Sequence, residues 1–407
     1  MTAPTATTWV NWSKNAEVCP RAIERPGSVD ELRRIVRDVA RCGEPVRAVG
    51  SGHSFAPVCN TAGTLLDLSL LTGLETIDAG TGETTLLAGT KLYAIGEPLF
   101  AAGRALANQG DIDRQAIAGA VATGTHGTGR RAGSLSAQVT ALELVTPEGD
   151  LLTLDARHVD RFLAARLALG MVGIVSRVTL ATVPAYKLRE RTEAVPFEEG
   201  LTTYAEIERV ARNAEFWWLP VLDTCVLKTI EETGAAPMLP DAREYPPGTI
   251  ERYLKPEAVD WSWRIYPNQR NLPFVELEYA VPLERGPEAM RALREVMRER
   301  HPGCAWAVEY RTQPGEDALL SPTQGRDSVT ISVHQAVDQP WEAFFRDAEA
   351  VFLAHDGRPH WGKLHFLDSV QVAERYSRQP AFERVRRVLD PQGVFLNDHL
   401  RGLGFGA

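Results

Sequence analysis

At 407 residues the chain exceeds what one ordinary hydrophobic core fills, so two domains are expected. An apolar share of 44% and a charged share of 24% fit a globular chain. The net charge of −9, without a run of five or more basic residues, argues against a phosphate-tracking nucleic-acid surface.

No membrane partner is expected. The best apolar stretch, Phe162 to Val183, is interrupted by Arg166 and Arg177, whereas a spanning helix needs about 20 apolar residues. The first residues, Met-Thr-Ala-Pro-Thr-Ala-Thr-Thr, show no basic n-region and no apolar h-region, so no signal peptide is expected. The five cysteines, Cys19, Cys42, Cys59, Cys225 and Cys304, are odd in number and widely spaced, with no Cys-x-x-Cys. That usage suits reduced thiols in a cytoplasmic protein.

The first predicted element is a helix over 29–42. Ser28 is its N-cap and Glu31 completes a capping box. Val29, Leu32, Val36 and Val39 share a face, and Gly43 stands where a C′ glycine belongs. A short buried strand, 45–49, feeds directly into Gly50-Ser51-Gly52-His53-Ser54. Strands follow at 64–68 and 84–88, then a helix at 91–102, and a hairpin at 138–154 turning on Thr146-Pro147-Glu148-Gly149-Asp150. A helix near 159–169 and a strand at 172–182 end the first block at Pro184. Beyond it come the alternating strand Phe274-Val275-Glu276-Leu277-Glu278-Tyr279, a charged helix at 286–300, strands at 305–311 and 328–335, and a helix at 340–354. The loop 234–250, rich in Pro, Gly and Glu, reads as exposed. The fold class is therefore α+β: a nucleotide-binding domain over 1–184 and a second domain of antiparallel sheet covered by helices over 185–407.

Two glycine-rich stretches carry the first chemical signal. Gly50-x-Gly52-x-x-Phe55 lacks the third glycine of a dinucleotide fingerprint, and no Gly-Lys-Ser/Thr follows for a phosphate loop. Its backbone N–H groups can still face a pyrophosphate, although a plain turn with a solvated histidine remains open. The run from Ala116 to Gly129 holds nothing bulky except aliphatics and His126, so backbone approaches something closely there. Together they suggest one large polar ligand held by main-chain groups, against the alternative of a tightly packed helix-to-loop corner.

Further on, Glu309 and Arg311 sit two apart on a predicted strand and point to one face. A surface ion pair would look the same. Arg358 to His365 gathers cationic, aromatic and imidazole groups. His360 and His365 are five apart, and no His-Glu-x-x-His occurs, so no metal site is expected.

In this order the motifs resemble the vanillyl-alcohol-oxidase type of flavoprotein, and more narrowly the sugar-1,4-lactone oxidases and alditol oxidases. The resemblance is carried by Val49-Gly50-Ser51-Gly52-His53-Ser54; Ala107-Asn108-Gln109-Gly110-Asp111-Ile112; Ala118-Gly119; Thr123-Gly124-Thr125-His126-Gly127; Glu309-x-Arg311; Gly325-Arg326-Asp327-Ser328; His360-Trp361-Gly362-Lys363; and Phe395-Leu396-Asn397. It implies a two-domain fold in which the first block binds FAD and the tail, about 385–407, returns to it. The expected cofactor contacts are Val49 to Ser54, Gly110, Asp111, Ala116, Gly119, Thr123 to His126, Ile174 and His360. It also implies a flavin linked through its 8α methyl to His53, for which a neutral imidazole is a competent nucleophile. Glu309 and Arg311 would orient substrate hydroxyls, Lys363 would stabilise the reduced ring, and a substrate C–H would pass a hydride to flavin N5. His334 is the candidate proton acceptor, with a buried core histidine as the alternative.

The implied reaction is oxidation of an L-gulono- or L-galactono-type 1,4-lactone, with molecular oxygen as acceptor and H₂O₂ as product. The alternatives are an alditol or sugar oxidase on the same scaffold, a flavin- or nucleotide-binding protein without turnover, and a metal-dependent hydrolase using the histidines. Two departures and one match bear on this. Relatives carry Ser where Asp111 stands. Alditol oxidases have His and Thr in place of Ser332 and His334. Gly110 matches the oxidase members, where dehydrogenase members carry a bulkier alanine.

Overall fold

The computed structural model describes residues 8–240, 245–246, 248–268 and 272–406, so part of the 234–250 loop lies outside the described residues. Residues 236–240 of that loop are exposed.

Three sheets build the frame that positions the site. A parallel sheet sets Thr64–Asp67 between Ala22–Glu24 and Val46–Val49. A six-stranded antiparallel sheet runs Leu151–Asp155, Val139–Val145, Ile174–Pro184, Glu83–Leu87, Leu74–Ile77, with Arg104–Leu106 paired to the end of Ile174–Pro184. An eight-stranded sheet runs Ala258–Trp261, Lys187–Pro196, Thr224–Glu232, Asn213–Leu219, Val308–Gln313, Ser328–Ala336, Phe274–Pro282, Arg358–Pro359. The chain thus passes from one antiparallel sheet to the other between Pro184 and Lys187. The mixture of helices and antiparallel sheets is the α+β class.

Local chemistry accounts for most element ends. In the helix Val29–Arg41, Ser28 Oγ accepts from Glu31 N at 3.2 Å. The Glu31 carboxylate accepts from Gly27 N rather than from the cap residue itself, so the expected box is displaced by one residue. A single helix over 91–102 does not form. The segment is a 3₁₀ turn at Leu92–Ala94 and a short helix at Gly96–Ala101. Pro98 explains the break, because it has no N–H to give the Ala94 carbonyl. The helix from Val159 stops at Ala165, and Leu169 and Gly170 take left-handed conformations that turn the chain.

The strand Phe274–Pro282 is buried at all nine positions. Val275, Leu277, Tyr279 and Val281 join the core beneath the helices Phe197–Val210, Gly286–Arg300 and Glu342–Ala354. The opposite face, with Glu276 and Glu278, meets the first domain instead of water. An alternating apolar–polar pattern ordinarily marks a strand with one wet face; here a second layer covers that face.

The end of the chain belongs to the first core, where Phe382, Phe395, Leu396, Leu400 and Phe405 pack with the helix Val29–Arg41 and the six-stranded sheet. Val46 N donates to Val394 O at 2.8 Å. Asn397 Nδ2 donates to Asn60 O at 2.8 Å and Pro57 O at 3.1 Å. Arg47, 3% exposed, donates to the carbonyls of Val58, Leu169, Gly170 and Phe395. Burial pushes its guanidinium down to about 10.

Burial also pushes His365 down to about 3 and His399 down to about 4, and their rings lie 6.2 Å apart where this segment docks. Neither His365 nitrogen has a hydrogen-bond partner. The unfolded chain therefore binds more protons than the folded one once pH falls below the ordinary histidine value of 6.5, and stability declines from there downward. The thermal midpoint should hold near pH 7 and fall between about pH 6.5 and 4, and His365→Phe should flatten that slope; an unchanged slope would count against the assignment.

Candidate active site at the junction of two cavities

The turn at 50–54 leaves the end of the parallel strand Val46–Val49 and meets the start of the helix Ile117–Thr123. The two segments touch directly, since a Cβ on Gly50 would stand 2.6 Å from Ala116 Cβ. Gly52 adopts φ +64°, with Trp9 closing over it. Gly119, by contrast, has nothing within 4 Å of where its Cβ would be. It faces a cavity of about 870 Å³, partly open to solvent, lined by Val49, the turn 50–54, Ala116, Gly119, Thr123 and Ile174, with Leu68 and Ala88 as apolar walls.

A second cavity of about 570 Å³ adjoins the first and shares His53, Ser54, Gln115 and Thr123 with it. It is lined by Gly110, Asp111, Thr125, His126, Glu309, Arg311, His334, His360 and Lys363. All the site residues expected from sequence therefore face one or other cavity, except Gly124. That glycine ends the helix with φ +77°, and its Cβ would press on Leu167.

Sequence reasoning missed the groups that organise the second cavity. Glu278 Oε1 accepts from His126 Nε2 at 2.7 Å, and its Oε2 accepts from Arg311 at 2.6 Å and Ser332 Oγ at 2.7 Å. Glu276 pairs with Lys363 and lies 3.6 Å from His334 Nε2. Glu309 lies 3.2 Å from Arg311. The available signal was the i, i+2 pair of glutamates in an alternating strand. Such a face is ordinarily solvated, so the pattern alone does not mark a site.

Burial and charge set the protonation states. Burial opposes ionisation of Glu276 and Glu278, but Lys363 and His334 for the first, and His126 and Arg311 for the second, hold both carboxyls below the ordinary range. Burial, then the charges of Lys363 and Lys91, push His53 down to about 4. His360 is pushed down to about 3 by burial, and its Nδ1 accepts from Gly362 N at 3.1 Å. His334 Nδ1 stands 3.0 Å from Ala307 O. A carbonyl only accepts, so Nδ1 carries the proton and a neutral His334 has Nε2 as an acceptor.

Two acidic–histidine groups, His126–Glu278–His360 and Glu276–Glu309–His334, bring their donor atoms within 4.8 Å. The Arg311 guanidinium and Lys363 ammonium hold the carboxylates a cation would need. The geometry favours an organic ligand over a metal.

Residues 178–247 and 249–403 match the family described as D-arabinono-1,4-lactone oxidase, and residues 20–155 match the FAD binding domain. The L-gulono-1,4-lactone dehydrogenase of Mycobacterium tuberculosis (strain ATCC 25618 / H37Rv) is 35% identical, over 97% of this chain and 98% of its own length. The chain belongs to the aldonolactone oxidase family. The L-gulonolactone oxidase of Mus musculus is 28% identical, over 96% of each chain. Among solved structures, cholesterol oxidase from B. sterolicum shares the fold, with a TM-score of 0.80 at 18% identity over 97% of this chain and 96% of that one.

Membership makes the protein an FAD-dependent oxidoreductase acting on CH–OH groups, and the residues present fit that cofactor. Gly119 leaves room that a Cβ would fill, and Gln115 Oε1, on the wall between the cavities, is buried without a hydrogen-bond partner. Arg311 Nε is likewise buried and unpartnered. Gly119→Leu should therefore leave the apoprotein's thermal midpoint within about 1 °C of the parent, given that Leu favours a helix over Gly, while abolishing the flavin absorbance of the purified protein. Retention of yellow colour would show that the cofactor lies elsewhere.

Proposed function

We propose that this protein oxidises a sugar-derived 1,4-lactone of the L-gulono or L-galactono type at a hydroxyl-bearing carbon. The observation that carries the reading is the convergence of Glu309, Arg311, Lys363 and His334 on a cavity that shares His53 with the cofactor-sized one. Bound FAD supplies the two-electron acceptor for the hydride that leaves the substrate carbon. Glu309 and Arg311 orient the substrate hydroxyls, and Lys363 places a positive charge where negative charge develops. His334 Nε2, whose tautomer is set by the Ala307 carbonyl, takes the hydroxyl proton.

His53 is the covalent anchor of the flavin in this reading. Its imidazole is neutral at physiological pH, lies where the two cavities meet, and is steadied by the Trp12 ring at 5.1 Å. Molecular oxygen is the electron acceptor that Gly110 favours, because a Cβ there would stand 3.1 Å from His126 O and 3.2 Å from Thr125 Cγ2 and narrow the cavity. Five free thiols suit a cytoplasmic setting. No described helix is long and apolar enough to cross a membrane.

Charge sharpens the substrate class. The second cavity's lining has four carboxylates, Asp111, Glu276, Glu278 and Glu309, against two permanent cations, Arg311 and Lys363. A second anion is disfavoured, so the uncharged lactone binds in preference to the aldonate formed by its hydrolysis. In an oxygen-electrode assay, L-gulono- or L-galactono-1,4-lactone should be consumed with H₂O₂ release, and the corresponding aldonates should not. Turnover of xylitol or sorbitol with no lactone turnover would assign the polyol reading instead.

The tether has its own test. Acid precipitation should leave the yellow colour in the pellet, and His53→Ala should move it to the supernatant. A colourless pellet from the parent protein would remove the covalent link and leave FAD binding intact.

A further inference from the structure

Both carboxylate oxygens of Glu278 are engaged by protein groups. One oxygen is taken by His126 Nε2 at 2.7 Å, and the other by Arg311 at 2.6 Å and Ser332 Oγ at 2.7 Å. The side chain is 1% exposed. Its three partners come from three separate segments: the glycine-rich stretch of the first domain, the strand Val308–Gln313 and the strand Ser328–Ala336. Strand register explains the meeting. Ser332 is opposite Glu278 on one side and Glu309 on the other, so the three form one row across the sheet.

Arg311 shows the opposite pattern. One guanidinium nitrogen serves both Glu278 and Glu309, while Nε is buried without a partner. A guanidinium is a rigid plane of five donors. Fixing one edge of that plane against Glu278 therefore fixes where the remaining donors point.

We propose that Glu278 is the positioning residue of this site: it sets the plane of Arg311 toward the ligand and ties His126 of the first domain to the substrate sheet, touching neither substrate nor cofactor itself. The inference rests on the proposed role of Arg311. It goes beyond that reading by placing the control of the arginine two strands across the sheet, on a residue whose two oxygens are both engaged by protein groups.

Glu278→Gln tests it, because glutamine keeps the volume but cannot accept from partners on both sides. The measurements are FAD content, thermal midpoint, lactone dissociation constant and limiting rate of anaerobic flavin reduction, made for the parent, Glu278→Gln, Arg311→Lys and the double variant. Glu278→Gln should keep its FAD and slow flavin reduction about 10- to 100-fold, as expected for loss of a charge-assisted hydrogen bond. The double variant should be within about threefold of the slower single one, since the two changes disable one unit. Reduction at the parent rate, or losses that multiply, would overturn the proposal. If Glu278→Gln does not fold, Ser332→Ala replaces it in the same cycle. A several-fold loss that vanishes in the Arg311→Lys background supports the proposal, and a folded Ser332→Ala protein with parent rates overturns it. A parent protein reduced by xylitol and not by lactone would refute the substrate reading alone, and the cycle would be run with xylitol.

Discussion

A carboxylate can stay ionised away from water only if its charge is answered within hydrogen-bond reach. The interface between the two domains is built on that constraint. Glu276 and Glu278 alternate along one strand, each meets a permanent cation, and those cations come from different parts of the chain: Arg311 from the strand Val308–Gln313, across the intervening strand Ser328–Ala336, and Lys363 from the segment after the sheet. Remove one member and an uncompensated charge is left buried. Of the contacts these glutamates make, the bond between His126 and Glu278 is the one that reaches from the eight-stranded sheet to the first domain.

The fold was legible in the sequence where pattern and environment agree. The helix Gly286–Arg300 has its expected bounds, with Gly286 and Pro287 at its start and Ala289, Met290, Leu293 and Met297 inward. The hairpin on Thr146 to Asp150 likewise follows from its turn residues. The segment 91–102 departs from the expected single helix where Pro98 lacks the N–H that would continue it.

The site divides in the same way. Glycine-rich turns and the Glu309–Arg311 pair are readable because their chemistry is local. Glu278 was not, because its importance arises from His126 and Ser332, 152 and 54 residues away along the chain. Polar residues on an alternating strand give no sign of whether water or another domain lies above them. That information exists only once the two domains close.

The docking of the chain's end adds a constraint of its own. Arg47 lines the cofactor-sized cavity, and part of what holds it is the carbonyl of Phe395. Asn397 fastens the carbonyls of residues 57 to 60 just beyond the His53 turn. The carbonyl of Pro57 and the Asn397 amide that meets it are 340 residues apart along the chain, so this part of the wall is completed by residues far beyond the first domain. The wall of that cavity is therefore complete only with residues 395–397 in place.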